Sequence, residues 1–380
     1  MERVSPIGSE RFVPVMSAFV LLSSLSLGLA ACEGEDQVTQ EETQEETQEE
    51  TQEQTPAPPP AEMPTADMAN MSHDDGMLTD QQLAELRRKI PLYSDKTDEE
   101  INAAMAGMRE NYDDYLSAGN VSGSIGVLAL AHGFGEPGDT QFKASFGPVA
   151  TIFPTSTALG MSMMTSAHVQ SAIDDLVAAG AETIVVIPTT TGERNSLVNQ
   201  WNYMFQLGDE SAYLDVPTIE TDAKIIMAPT PARSPLISSI LLDHALELST
   251  DPDNELILII AHGPQDAEDN AHELAILEDH AEIIRQDGGF PDVRAATLQD
   301  DAPGPIRAAN VQAIRDWIEG AISEGKDVIV VTTVLTDGGV HRRIKRDLDG
   351  LDYKFFGKGL TAHPLFSNWI MDTVRRALAE

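Results

Sequence analysis

The sequence predicts an α/β protein built as two similar doubly wound parallel-sheet halves that face each other across a cleft. Two apolar segments, Ser124–Leu130 and Glu255–Ile260, each run into an Ala-His-Gly turn. Apolar strands then alternate with amphipathic helices, as in buried parallel strands covered by helices. Because the pattern occurs twice, we expect a duplicated domain whose cleft lies at the carboxyl ends of the strands.

The two halves are predicted over residues 121–250 and 251–380, with the metal site in the second. The second strand of each copy is predicted at Thr183–Ile187 and Asp327–Val331. A third strand, at Ala223–Met227 and Tyr353–Phe356, is followed by a proline and a closing helix. A long polar and helical stretch is expected between the first and second strands of each copy.

The first 31 residues are predicted to be a signal peptide. A short charged start is followed by a largely apolar run, Phe12–Ala31, which ends in small residues directly before Cys32. That ending resembles a bacterial lipobox, which implies cleavage before Cys32, lipid on its sulfur, and an exported, membrane-anchored lipoprotein facing the periplasm or the cell surface. An ordinary signal peptide with a chance cysteine, or an uncleaved anchor helix, are the alternatives.

Residues 32–78 are predicted to be a lipidated, disordered linker, because acidic repeats and a proline cluster supply no core. Residues 79–120 are predicted to be a helical extension. Thr79 with Gln82, and Thr97 with Glu100, have the spacing of capping boxes that begin helices.

The composition excludes several classes of function. A formal net charge of -38 repels phosphate backbones, so nucleic acid is not an expected partner. The single cysteine rules out an internal disulfide and a cysteine-rich zinc site. The sequence contains no Gly-X-Ser-X-Gly motif, the nucleophile elbow that would indicate a hydrolase.

His262 and His341 are the candidate metal ligands. Each follows a predicted strand of the second half beside glycine, and strand ends of this kind line the ligand crevice of α/β sheets. An imidazole pair suits a divalent first-row metal, which two ligands would hold loosely enough to release. The alternative is that each is a hydrogen-bonded structural histidine.

Three motifs together resemble the class II chelatases, which act on sirohydrochlorin, and more distantly the ferrochelatases. They are Ile260–Gly263, Gly338–Arg343 and Gly359–Pro364, and the resemblance covers residues 121–380. It implies that His262 and His341 hold the incoming metal and assist removal of the pyrrole protons. The family often has a glutamate between these histidines, where this chain has Gln299, followed by Asp300. A glutamine ligates metal weakly and accepts no proton, so this departure bears on activity and metal choice.

The resemblance also implies a lining for a tetrapyrrole that carries many carboxylates. The expected substrate-binding residues are His132, Gly133, Gly263, Gly338, Gly339, Arg342 and Arg343. The first half keeps His132 but lacks a counterpart of His341, so it is expected to shape the cleft. A solvated helix face is the alternative for the arginines.

The expected function is a sirohydrochlorin cobaltochelatase-like activity. Its metal substrate is Co2+, with Fe2+ or Ni2+ as alternatives, and no organic cofactor is expected. The other hypothesis is a non-catalytic, lipid-anchored protein that binds metal or tetrapyrrole. Because both halves lie in one chain, we expect a monomer.

Overall fold

The computed structural model describes residues 77–379 of the chain. The predicted signal peptide, Cys32 and most of the predicted linker lie outside the described residues. Within residues 77–379, no helix is long and apolar enough to cross a membrane.

The first sheet has five strands in the order β1-β3-β2-β4-β5. They are β1 Tyr112–Tyr115, β2 Ile125–Ala131, β3 Thr155–Leu159, β4 Thr183–Pro188 and β5 Lys224–Met227. Strands β2 to β5 are parallel, and β1 pairs antiparallel with β3 at the edge.

The second sheet repeats this order without the antiparallel edge strand, as β7-β6-β8-β9. Its strands, all parallel, are β6 Glu255–Ala261, β7 Asp292–Thr297, β8 Asp327–Thr332 and β9 Lys354–Phe355. Strands β2 and β6 therefore occupy equivalent places, and the predicted duplicated, doubly wound α/β fold is confirmed.

Helices cover both faces of each sheet because the buried strands are apolar on both sides. The helices are α1 Asp80–Lys89, α2 Asp98–Ala106, α3 Gly138–Ser145, α4 Gly147–Ala150, α5 Ala167–Ala178, α6 Ser196–Met204, α7 Pro235–Leu248, α8 Ala267–Gly288, α9 Gly304–Ser323, α10 Gly339–Asp347 and α11 Pro364–Ala377.

The core has three parts. One part joins the inner faces of both sheets to α3, α4, α7, α8 and α11, with Val127 of β2 and Ile257 of β6 both fully buried in it. The second part packs the outer face of the first sheet against α1, α2, α5 and α6. The third packs the outer face of the second sheet against α9 and α10. The two halves thus share one central core.

Thr79 and Thr97 form the predicted capping boxes at the starts of α1 and α2. The extension is not helical throughout, however, because Tyr112–Tyr115 is strand β1, which extends the sheet of the first half. The prediction also missed β3 and β7. Their sequences, Thr-Ser-Thr-Ala-Leu and Asp-Val-Arg-Ala-Ala-Thr, lack the apolar runs of their neighbours, although pairing with β2 and β6 holds them in the sheets.

Candidate functional site

The histidines of the two Ala-His-Gly turns have the same local geometry. In each, the ring Nδ1 lies within hydrogen-bond distance of the next glycine's carbonyl oxygen, at 2.5 Å for His132 and 2.9 Å for His262. A carbonyl can only accept, so Nδ1 carries the proton and donates it. The lone pair is then on Nε2 in both rings, which is the atom that a metal or a proton would meet.

The glycine after each histidine is required by the backbone. Gly133 has φ 74° and Gly263 has φ 76°, in the left-handed region that favours glycine. A Cβ on Gly263 would also lie 2.6 Å from Cβ of Thr297, at the end of β7. Gly263 therefore lets the His262 turn approach the neighbouring strand end.

His262 faces two carboxylates that follow β7. Its Nε2 lies 3.6 Å from Oδ2 of Asp301 and 4.0 Å from Oδ2 of Asp300. The His262 side chain is 37% exposed and that of Asp301 is 67% exposed, so solvent reaches this pair. The site is therefore an imidazole nitrogen and a carboxylate that are both open to an incoming cation.

His132 of the first half lies close enough to feel these charges. Burial lowers the pKa of His132, and the charges of His262 and Arg109 lower it further, while the Gly133 carbonyl and Asp301 act in the opposite direction. The strand-end histidines of the two halves thus lie within electrostatic reach of each other, and the lowered pKa of His132 favours its neutral form.

Asp300, although beside His262, is already engaged by two arginines. Its side chain is 3% exposed, its Oδ1 accepts from Arg307 Nε at 2.7 Å, and it forms an ion pair with Arg343. Burial alone would raise the pKa of Asp300, but Arg307, Arg343 and His262 outweigh it and lower that pKa. Asp300 therefore remains ionised, and the two arginines balance its charge. Asp301 is then the carboxylate that remains available.

Gln299 stands at the position of the family's glutamate, with φ 47° and its side chain buried. Its amide nitrogen donates to the carbonyls of Pro264 and Gln265, at 3.1 and 3.4 Å, and its oxygen accepts from Asn310 at 3.1 Å. Gln299 therefore fastens the loop after His262 to β7 and α9, a role that an ionised glutamate, which cannot donate, would not fill.

His341 lies on α10 and is 5% exposed. Its Nε2 shares a hydrogen bond with the Thr332 hydroxyl at 2.8 Å, and its ring meets the Phe355 ring edge-on at 5.4 Å. Burial lowers the pKa of His341, whereas Asp337 and a backbone hydrogen bond with Gly357 act to raise it. Among residues 77–379, His262 and His341 contact no residue in common. That the two histidines share a metal therefore stays a prediction.

Glu273, on α8, is a buried carboxyl between the halves. A Cβ on Gly192, in the loop after β4, would lie 2.8 Å from Glu273 Oε2. Burial raises the pKa of Glu273 to about 7, although the charge of His262 acts to lower it. Glu273 is thus a carboxyl group whose charge changes around neutral pH.

The remaining predicted lining residues lie on α10 and its start. Gly338 precedes the helix and Gly339 begins it. Arg342 is exposed and, within residues 77–379, has no acidic partner, whereas Arg343 is committed to Asp300. The predicted tetrapyrrole contacts of these residues stay predictions.

Sequence reasoning missed Asp301 and Arg307 as members of the site. The adjacent acids at 300 and 301, after a strand end, were a usable signal. Arg307 gave none, because it lies on the next helix and its partner Asp347 is 40 residues further along the chain. Within residues 77–379, no group of three or more His, Cys, Asp or Glu side chains is arranged to hold a metal ion.

Comparison with known proteins supports the fold. No family model and no curated protein sequence matches the chain. The structure of SirB from Bacillus subtilis with Fe3+ matches with a TM-score of 0.51 and 13% identity, covering 68% of this chain and 96% of SirB. DR2241 from Deinococcus radiodurans, a multi-domain protein with structural similarity to chelatases and two additional novel domains, matches with a TM-score of 0.44 and 14% identity. That match covers 66% of this chain and 55% of DR2241. The described residues therefore have a chelatase-like α/β fold.

Proposed function

We propose that this protein inserts a divalent metal into a sirohydrochlorin-like tetrapyrrole at the cleft between its halves. The observation that carries the proposal is His262, whose free Nε2 lies beside the exposed Asp301 carboxylate at the carboxyl ends of β6 and β7. The chelatase-like fold supports the same function.

The incoming metal is proposed to sit between His262 and Asp301. A lone pair and a carboxylate oxygen 3.6 Å apart repel each other unless a cation lies between them. Metal bonds to imidazole nitrogen and carboxylate oxygen are about 2.0–2.2 Å for zinc, so a metal fits there with a bent N–metal–O angle. Co2+, Fe2+ and Ni2+ all accept this donor pair, and SirB with Fe3+ supports including iron.

The reaction must also remove two protons from ring nitrogens. His132 has a lowered pKa, a free Nε2 lone pair and access to solvent, so we propose that it accepts the two protons in turn and releases each to water. Two ligands from the protein leave open positions on the metal, which lets the macrocycle nitrogens replace them.

His341 is proposed as a further ligand only after its ring leaves the Thr332 hydroxyl. His341→Ala tests this idea, since Co2+ affinity falls if the ring ligates the metal and is unchanged if the ring only packs.

The second candidate function is binding without turnover. It is favoured by Gln299, whose amide nitrogen holds the loop after His262 and whose amide oxygen accepts from Asn310 of α9. Such a protein would bind metal or tetrapyrrole but lack the carboxylate that the family places there.

An anaerobic metallation assay separates these functions. The purified protein is mixed with sirohydrochlorin and Co2+, Fe2+ or Ni2+, and the absorbance of the metallated ring is followed. We expect insertion above the uncatalysed rate, reduced by roughly 10–100-fold in His262→Ala, because a metal-site group is lost. The control is His363→Asn, which keeps a side-chain acceptor at the start of α11.

A wild type that binds ligands but inserts no metal would support the binding function. Equal rates in the wild type and His262→Ala would contradict the proposed site.

We also propose that the protein is an exported lipoprotein anchored through Cys32. The support is the run of small residues before Cys32 at the end of an apolar segment. A fatty-acid analogue should label the wild type and not Cys32→Ser, and equal labelling of both would refute the anchor.

A further inference from the structure

The strand that the extension adds to the first half places residues 109–111 at the carboxyl-end edge of the first sheet. Strand β1 runs antiparallel to β3, with Tyr112 opposite Leu159. The amino end of β1 is therefore at the carboxyl end of β3, the edge where Gly133 and His132 lie. Lys143 of α3 fixes this strand through an ion pair with Asp114 at 2.6 Å.

Two side chains from this segment contact glycines of that edge. A Cβ on Gly160, directly after β3, would lie 1.8 Å from Oδ1 of Asn111. A Cβ on Gly135, three residues after His132, would lie 2.6 Å from the guanidinium carbon of Arg109. The absence of side chains at these two glycines makes the room in which Asn111 and Arg109 lie.

Arg109 is a cation that the structure does not neutralise. Within residues 77–379, Arg109 has no ion pair and no hydrogen bond, and it is exposed. The chain has 62 acidic and 24 basic residues, so an arginine that forms no ion pair with an acidic side chain is unexpected. Its charge is nevertheless close enough to lower the pKa of His132.

We infer that Arg109 binds a peripheral carboxylate of the tetrapyrrole, an inference that rests on the proposed function. The ring nitrogens must meet His262 and His132, so the side chains of the macrocycle project away from them, toward groups such as Arg109. A guanidinium pairs with a carboxylate through two parallel hydrogen bonds, which fixes the orientation of the ring as well as adding affinity. The first half lacks a counterpart of His341, and its extension supplies this anchor instead.

The test is the binding of metal-free uroporphyrin, in which every side chain ends in a carboxylate, to the full chain. Affinity is measured by fluorescence titration. Because charged hydrogen bonds are lost, we expect Arg109→Gln to weaken binding by roughly tenfold or more, and Arg109→Lys to recover part of the loss. Arg376→Gln, the same charge change at an exposed arginine of α11, should bind like the wild type.

Two further measurements make the test specific. The methyl ester of the porphyrin should bind the wild type and Arg109→Gln alike, and Co2+ affinity should not change in Arg109→Gln. This inference alone would be overturned if Arg109→Gln bound the free acid as tightly as the wild type does. It would also be overturned if the affinity of Arg109→Gln for the ester fell by the same factor as its affinity for the free acid. A wild type that binds neither porphyrin would overturn it together with the proposed function.

Discussion

At the scale of single residues, backbone carbonyls determine what the cleft histidines can do. The Gly263 carbonyl holds the proton of His262 on Nδ1, and the Gly133 carbonyl does the same for His132. Both rings therefore present Nε2, whereas Nε2 of His341 is used by Thr332. These tautomers, set by residues adjacent in sequence, leave Nε2 of both strand-end histidines with a free lone pair.

Glu273 gives a prediction on pH dependence. Its pKa is about 7 in the folded protein, against about 4.3 for glutamate in an unfolded chain. Between these values the folded state binds more protons, so the free energy of unfolding should fall as pH rises from about 4.3 to 7. Glu273→Gln, which stays neutral, should lose this dependence. At pH 8 its free energy of unfolding should exceed that of the wild type by about 2 kcal/mol.

Urea denaturation at pH 4.5, 6 and 8 measures this effect. Glu319→Gln, at an exposed position of α9, is the control and should follow the wild type. If wild type and Glu273→Gln show the same pH profile, the carboxyl is not held neutral by burial.

The sequence identified His262, His132 and the Gln299 departure because each lies in or near a short motif. It did not identify Arg109 or Arg307, whose roles depend on contacts with distant segments. Arg109 contacts Gly135 because β1 pairs with β3. Neither strand has the apolar run that would have predicted this pairing.

At the scale of elements, strand composition explains which strands were found. β2, β4, β6 and β8 are apolar on both faces and were predicted within a residue or two. The strands β1, β3 and β7 are polar or rich in small residues, and their pairing in the sheet overrides weak local preference.

Arg307 holds α9 to α10 and to the loop after β7, which gives a second prediction. It donates to Asp300 at 2.7 Å and to Asp347 at 2.6 Å, and both carboxylates are largely buried. Arg307→Ala leaves them without this partner and should lower the free energy of unfolding by about 3 kcal/mol. Arg307→Lys should recover less than half, since an ammonium cannot reproduce the fork.

Thermal or urea unfolding measures the loss, with Arg375→Ala as the control. Arg375 pairs with Asp372 in an exposed ion pair, which is worth at most about 1 kcal/mol. A cost for Arg307→Ala no larger than for Arg375→Ala would show that the buried ion pairs do not hold these elements.

At the scale of the whole molecule, the two halves share a central core and should unfold together. Trp201 lies in the outer core of the first half, Trp317 packs against the outer core of the second, and Trp369 of α11 lies in the shared central core. Trp201→Phe with Trp369→Phe leaves a reporter in the second half, and Trp317→Phe with Trp369→Phe leaves one in the first. In each variant, the fluorescence midpoint in urea should coincide with that of far-UV circular dichroism.

A fluorescence transition that precedes the circular dichroism in either variant would show that one half unfolds alone. The duplication itself was predictable from the repeated Ala-His-Gly turns. The shared core was not, because it depends on how α7 and α8 pack together between the sheets.

The central claim is that the cleft receives a metal at His262. The most direct test is a crystal structure of the protein soaked with Co2+, with anomalous scattering measured at the cobalt edge. The account predicts an anomalous peak at about 2.0–2.2 Å from Nε2 of His262 and next to the Asp301 carboxylate. Cobalt bound elsewhere, with no peak at Nε2 of His262, would contradict it.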